Sequence, residues 1–290
     1  MKIAYLLDTG SSYNIGLEPD CFFVPMIIDV VDKHSTQSYK DQIDITNDEL
    51  NKILNSKKII RTSQPTIGSI MEKANEIFQQ YEKIITIPFS SVLSSTYSTF
   101  LNLQKEYGKE KFLVADANTM SITGNWLVSD LKKYIESNGD INQDELDNIT
   151  RRIRQSQCGS LIISDSSYLI SGGRISGFKG LIVKTLKLKL IIKFHGGLEF
   201  ANKSNNFFNA IDKSLEIIDL VTEFRKYGIK RYTIMTSLED EEENDKNIRY
   251  IKSILGNEDK CYISELPGCV QCHTGPNNFS ILIESYKEPD

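Results

Sequence analysis

The stretch from Ile84 to Thr99 constrains this chain more than any other. It opens with the short, mostly apolar run Ile84-Ile-Thr-Ile87, which Pro88 closes, because proline cannot continue a hydrogen-bonded ladder. A cluster of hydroxyl residues follows, Ser90, Ser91, Ser94, Ser95, Thr96, Ser98 and Thr99, and it merges into a helical pattern carrying Tyr97, Phe100, Leu101 and Leu103. The stretch therefore reads as strand, hydroxyl loop and helix start. In an open α/β sheet, ligands sit at that junction, where the carboxyl end of a strand meets the free N–H groups of a helix. Serine and threonine are also favoured as helix caps, but capping uses one or two hydroxyls. So many in one loop point to a site for an anionic oxygen.

Strand and helix alternate through the first half of the chain. Lys2–Leu7 reads as a buried strand ending in the turn Asp8-Thr-Gly-Ser-Ser12, and Phe22–Val31 as an apolar run bent at Pro25. A short helix is expected over Asn47–Leu54, then a turn at Arg61-Thr-Ser-Gln-Pro-Thr66. Ile67, Ile70, Met71, Ala74 and Ile77 behind it are spaced as on an amphipathic helix. Phe112–Ala115 reads as another strand, closed by Asp116, with helices expected from about Ser121 to Ile135 and around Leu146, Ile149 and Ile153. This is the pattern of a parallel sheet covered on both faces.

The second half differs. Lys189–Phe194 and Leu198–Phe200 flank His195-Gly-Gly197, a hairpin signal. A helix with Ile211, Leu215 and Ile218, a strand over Tyr232–Thr236, a helix near Ile248–Leu255 and strands over Cys261–Ser264 and Phe279–Ile283 complete it. Hairpins mixed with helices predict an α+β domain with a mixed or antiparallel sheet. The boundary is expected near Gln155–Gly159, giving an α/β domain over 1–157 and an α+β domain over 158–290. A length of 290 residues suits two domains.

Charge and composition narrow the function classes. A net charge of −5 argues against nucleic acid as partner. No apolar run reaches the length of a membrane span, and Asp8 interrupts the first apolar segment before a signal-peptide core forms. A cytoplasmic protein without stable membrane insertion is expected. The five cysteines, an odd and scattered set, do not suggest a disulfide framework.

Three motifs invite other chemistry. Cys269-Val-Gln-Cys272-His273 matches a c-type haem attachment pattern. No export segment accompanies it, and a zinc site would have to draw on His34, His195 or distant cysteines, so the cysteines are read as small packing residues. Gly172-Gly-Arg-Ile-Ser-Gly177 resembles a phosphate loop, but Phe178 stands where a Walker loop needs lysine. Its glycines allow a tight turn that aims Arg174, and Lys179, Lys184, Lys187, Lys189 and Lys193 lie around it, either as a solvated face or as a docking surface. Ser94 as nucleophile with His273 as base would make a Ser/His acyl hydrolase, although the chain lacks a Gly-x-Ser-x-Gly elbow.

Four segments in order, Thr62-Ser-Gln-Pro65, Leu93-Ser-Ser-Thr-Tyr97, Tyr168-Leu with Gly172-Gly-Arg-Ile-Ser176, and His273-Thr-Gly-Pro276, resemble the DegV family, and Asp8 and Asp116 fit the same pattern. The resemblance spans essentially the whole chain. It implies a two-domain α/β protein that is not itself an enzyme and binds one long-chain fatty acid between its domains. In FakB-type members the fatty acid is presented to a separate fatty acid kinase, and its acyl phosphate is carried towards phospholipid synthesis. Carried over by motif, Thr62, Ser94 and His273 would bind the carboxylate. Arg174, Ser95 and Ser63 would lie near the head group or a partner. No metal or cofactor beyond the bound fatty acid is implied. A carrier of another amphipathic anion remains the alternative within the same fold. The chain departs from the family at Ser95, where glycine is usual, and at Lys203-Ser-Asn-Asn206, where many members carry a basic cluster.

Overall fold

The computed structural model describes residues 2–12, 18–32, 35–56, 58–172, 188–256 and 258–288. Arg174 and His34, together with Lys179, Lys184 and Lys187, lie outside the described residues. The chain divides into two compact units. One holds Met1–Thr46, Ile59–Arg151 and Pro267–Cys269; the other holds Asn47–Lys58, Arg152–Leu266 and Val270–Asp290.

The first unit begins with β1 (Ile3–Asp8) and β2 (Cys21–Val24), which pair in parallel. Pro25 ends β2, and the chain re-enters as β3 (Ile27–Val31) in a different sheet, so the expected single apolar run is two strands. β4 (Thr36–Lys40) pairs antiparallel with β3. The chain passes through α1 (Asn47–Asn55), which belongs to the second unit, and returns as β5 (Ile59–Ser63) on the other side of β3. Thr62 and Ser63 are therefore strand residues, Thr62 opposite Ile28 and Ser63 opposite Ile27; the expected turn is confined to Gln64-Pro65-Thr66. Pairing with β3 overrides the local turn chemistry.

α2 (Ile67–Phe78) starts at Thr66, whose hydroxyl accepts the Ser69 N–H. β6 (Lys83–Ile87), α3 (Thr96–Tyr107), β7 (Phe112–Val114), α4 (Thr123–Asn138) and α5 (Gln143–Ser156) follow. Asn142 and Glu145 cap α5 reciprocally: the Glu145 N–H donates to Asn142 Oδ1 and the Asn142 N–H to Glu145 Oε2. The four-stranded sheet runs β2-β1-β6-β7, all parallel. Ala4, Leu6 and Ile84 point to one face and pack with Ile70, Ala74 and Ile77 of α2 and Phe100 and Leu103 of α3. Strand alternation sends Leu7 to the opposite face, where Gly124 of α4 meets it. Helices thus cover both faces of a parallel sheet, as the alternation predicts.

The second unit continues with β8 (Gln157–Ile163), α6 (Ser167–Gly172), β9 (Lys189–Phe194), β10 (Leu198–Ser204), α7 (Phe207–Thr222), α8 (Phe224–Tyr227), β11 (Ile229–Thr236), α9 (Glu241–Leu255), β12 (Cys261–Glu265), α10 (Gly268–Thr274, of which Gly268 and Cys269 count with the first unit) and β13 (Phe279–Ser285). Its sheet runs β10-β9-β8-β13-β11-β12, antiparallel except for the β11–β12 pair. The hairpin read at His195-Gly-Gly197 joins β9 to β10, with Gly196 at φ +62°. Ile211, Leu215 and Ile218 of α7 and Ile251 and Leu255 of α9 bury one face of this sheet against Ile162, Ile191, Tyr232, Ile234, Phe279 and Ile281. No described helix is long and apolar enough to cross a membrane.

Candidate functional site

The parallel sheet of the first unit gathers three loops at its carboxyl edge, after β1, β6 and β7. The ladder between β1 and β6 ends at Leu7 opposite Ile87, because Pro88 has no N–H to offer. Asp8 takes over. Its Oδ1 accepts the N–H groups of Gly10 at 2.9 Å and Ser11 at 3.0 Å, and its Oδ2 accepts the N–H of Phe89, the first one after Pro88, at 2.7 Å. The Ser11 hydroxyl donates to the Ile87 carbonyl at 2.7 Å. Asp8 is fully buried, and that burial pushes its carboxyl up to about 6 against the three N–H bonds, which favour the ionised form.

From Phe89 the hydroxyl loop is pinned residue by residue. The Ser90 N–H donates to Thr119 O at 3.0 Å, and the Thr119 hydroxyl donates to Pro88 O at 2.5 Å. The Ser91 hydroxyl reaches Asp116 Oδ1 at 3.2 Å. The N–H groups of Leu93 and Ser94 both return to Ser90 O. Ser94 is half-buried; its Oγ lies 2.7 Å from Thr96 Oγ1 and accepts the Thr96 N–H at 3.3 Å. Part of the cluster therefore does cap α3. Ser95 is exposed and makes no side-chain cap bond, while Ser90 and Thr96 are buried.

Thr62 is half-buried and Ser63 exposed, since successive strand residues face opposite ways. Thr96 Oγ1 lies 3.9 Å from Met26 Sδ, and Ile27, the next residue, pairs with Ser63. Met26 thereby links the start of α3 to the end of β5 within this unit.

His273 is half-buried on α10, and the turn after it is closely held within the second unit. Gly275 sits at φ +81°, and a Cβ there would fall 2.4 Å from the Tyr168 ring. Only glycine allows both. Two of the sequence motifs, Tyr168 and His273-Thr-Gly-Pro276, are therefore in contact. The fully buried Asn278 donates to the carbonyls of Thr274 at 2.9 Å and Gly275 at 2.6 Å and accepts the Ser164 N–H at 3.1 Å. Cys269 and Cys272 are both buried on α10. Arg174 lies outside the described residues.

Sequence reasoning passed over several residues that hold these loops. Asp41, 1% exposed, accepts the Thr9 hydroxyl and the Cys269 N–H. Gln42, at φ +61°, turns its amide onto Thr9 O at 2.7 Å. Asn118, at φ +51°, is an asparagine just past a strand, a signal that could have marked the third loop. Among the described residues, Glu18, Asp20 and Cys21 lie close enough to share a cation. The Lys132 ammonium already pairs with both carboxylates, and burial drives the Cys21 thiol up to about 12.

The family model described as "Uncharacterised protein, DegV family" matches residues 15–286. The chain belongs to the DegV family. It is 33% identical to a DegV domain-containing protein of Ureaplasma parvum over 74% of this chain and 99% of that one. It is 26% identical to one of Mycoplasma genitalium over 98% of this chain and all of the relative. Among solved structures, it resembles a DegV family protein of Thermus thermophilus described for its fatty acid binding. The TM-score is 0.81 and the identity 21%, covering 98% of this chain and all of the other. Bacillus subtilis DegV, described as a fatty acid binding protein, matches with a TM-score of 0.79 and 19% identity over 98% of this chain and all of that one. The two-unit mixed α/β architecture is thus the DegV fold.

Proposed function

We propose that this DegV protein binds one long-chain fatty acid and presents its carboxylate to a separate fatty acid kinase. The observation that carries the reading is the shared fold, over 98% of the chain, with a DegV protein described as fatty-acid binding. Thr62, Ser94 and His273 are the proposed carboxylate donors, with Ser63, Ser95 and Arg174 near the head group or the partner. A buried carboxylate is costly unless several donors meet it. Hydroxyls and an imidazole supply them without a metal, and a protonated His273 adds a charge-assisted bond. The acyl tail contributes about 0.8 kcal/mol per buried CH₂, so about fifteen carbons give gross stabilisation on the order of 12 kcal/mol before association costs.

Such a protein turns nothing over alone. The reaction is the kinase's, phosphoryl transfer from ATP to the presented carboxylate, and the product is an acyl phosphate carried towards phospholipid synthesis in the cytoplasm. Ser94→Ala removes one donor to a charged group, and an affinity loss for palmitate of about tenfold or more is expected by titration. Unchanged affinity would remove Ser94 from the site. Ester hydrolysis abolished by the same substitution would make the protein an acyl hydrolase instead.

A further inference from the structure

We infer that Asp8 is a positioning residue for the hydroxyl loop, clasping the carboxyl ends of β1 and β6 so that Ser94 is held ready for an anionic head group. The inference rests on the proposed fatty-acid reading and assigns a role to a residue that touches no proposed ligand.

The geometry is specific. Backbone pairing of β1 with β6 stops at Ile87, since Pro88 lacks an N–H. The next N–H, on Phe89, is met by Asp8 Oδ2 at 2.7 Å instead of by a backbone carbonyl. Oδ1 meanwhile fixes the turn after β1 through Gly10 and Ser11. The Ser11 hydroxyl closes the clasp on Ile87 O at 2.7 Å, on the strand that leads into the loop. One residue past Phe89, the Ser90 N–H bonds Thr119 O, and the Ser90 carbonyl accepts the N–H of Ser94. Two hydrogen bonds, joined through the backbone of Phe89 and Ser90, thus connect the Asp8 carboxylate to the backbone of Ser94. Gly10 gives the clasp its tightness, because a Cβ there would fall 2.8 Å from the Phe89 ring.

An ordinary ladder would continue the strand. Here Pro88 ends the pairing, and a side-chain carboxylate still orders the chain beyond it. The energetic logic matches a binding loop: a buried carboxyl is a costly acceptor, and it is retained where it fixes donors that the backbone cannot fix.

Asp8→Asn keeps the size of the side chain and the Oδ1 acceptor, but sets its amide NH₂ against the Phe89 N–H, donor to donor. The test measures the affinities of wild type and variant for palmitate and for 1-hexadecanol, which shares the tail and lacks the carboxylate. Amide exchange of Phe89–Ser94 is followed in parallel. Wild type should prefer palmitate. The variant should lose about tenfold for palmitate, the effect of one buried bond left unmade, keep its affinity for the alcohol, and exchange faster across the loop. Ser11→Ala, which opens the other half of the clasp, should shift palmitate affinity in the same direction by less, and it decides the matter if Asp8→Asn does not fold. Equal losses for both ligands, or no loss, would overturn the positioning role. Wild type that binds neither ligand would overturn the fatty-acid reading, and this inference with it.

Discussion

Asp41 shows what a single buried carboxyl does to this protein. Burial pushes it up to about 6, against bonds from the Cys269 N–H and the Thr9 hydroxyl. In the unfolded chain the same group releases its proton near pH 4. Between the two values the folded state binds more protons, so this group's contribution to stability is largest below about pH 4 and is lost as pH rises through about 6. Going from pH 7 to 5, the Asp41 contribution should rise by about 1 kcal/mol, opposite in sign to ordinary acid denaturation. Asp41→Asn should remove that increment, read as urea midpoints of wild type and variant at the two pH values. Identical pH dependence would show that Asp41 does not titrate in this range. Asp8 was visible in the sequence as the polar residue ending a strand. Asp41 was not, because Lys40-Asp-Gln42 reads as a polar surface run. Its burial comes from Thr9 and Cys269, 32 and 228 residues away, and no local pattern records such distances.

Two glycines separate packing from propensity at the scale of an element. In α4, a Cβ on Gly124 would lie 1.8 Å from the Ser11 carbonyl oxygen, whereas Gly68 in α2 has nothing within 4 Å. Alanine has the better helix propensity at either place, by up to about 1 kcal/mol, the value of a helix interior. Gly68→Ala should therefore be neutral or stabilising by up to about 1 kcal/mol. Gly124→Ala should destabilise by about 2 kcal/mol net or more, since the backbone of the first loop must move; denaturant midpoints of the pair check both signs. In the other unit, Glu284 of β13 is 1% exposed and pairs with Arg231 at 2.7 Å and Lys230 at 2.8 Å, with Gln157 donating at 2.7 Å. Glu284→Ala removes the anion from a buried pair and should cost about 3–5 kcal/mol; a loss under about 1 kcal/mol would mean that water replaces the carboxylate. Most elements were legible because their apolar residues repeat at the helix or strand period, as Ile70, Ala74 and Ile77 do in α2. β4 was not: Thr36-Gln-Ser-Tyr-Lys40 is a mostly exposed edge strand with no buried alternation to read. The three-stranded sheet is hidden with it, so Thr62 reads as a turn residue in the sequence although it pairs with Ile28.

Across the whole molecule, the class of each half followed from order alone, alternation predicting the parallel sheet and the His195-Gly-Gly197 hairpin the mixed one. The placement of α1 with the second unit is invisible in the sequence, because the rest of that unit begins only at Arg152. The candidate site is legible in part as a set of loops. Its hydroxyls and its strand-end position can be read from Ile84–Thr99, whereas the bonds from Asp8 and Ser11 to Phe89 and Ile87 are tertiary. The tail of the proposed ligand leaves no motif, since an acyl chain is recognised by the shape of an apolar surface and not by any one residue type. Fatty-acid binding is therefore tested most directly on the whole chain, by native mass spectrometry of the purified protein followed by solvent extraction of what it carries. One long-chain fatty acid per chain, retained from the host or taken up from added palmitate or oleate, is the expected result. A mass that stays at that of the bare polypeptide after incubation with both acids would contradict it, and the hydroxyl loops would then belong to a smaller anion.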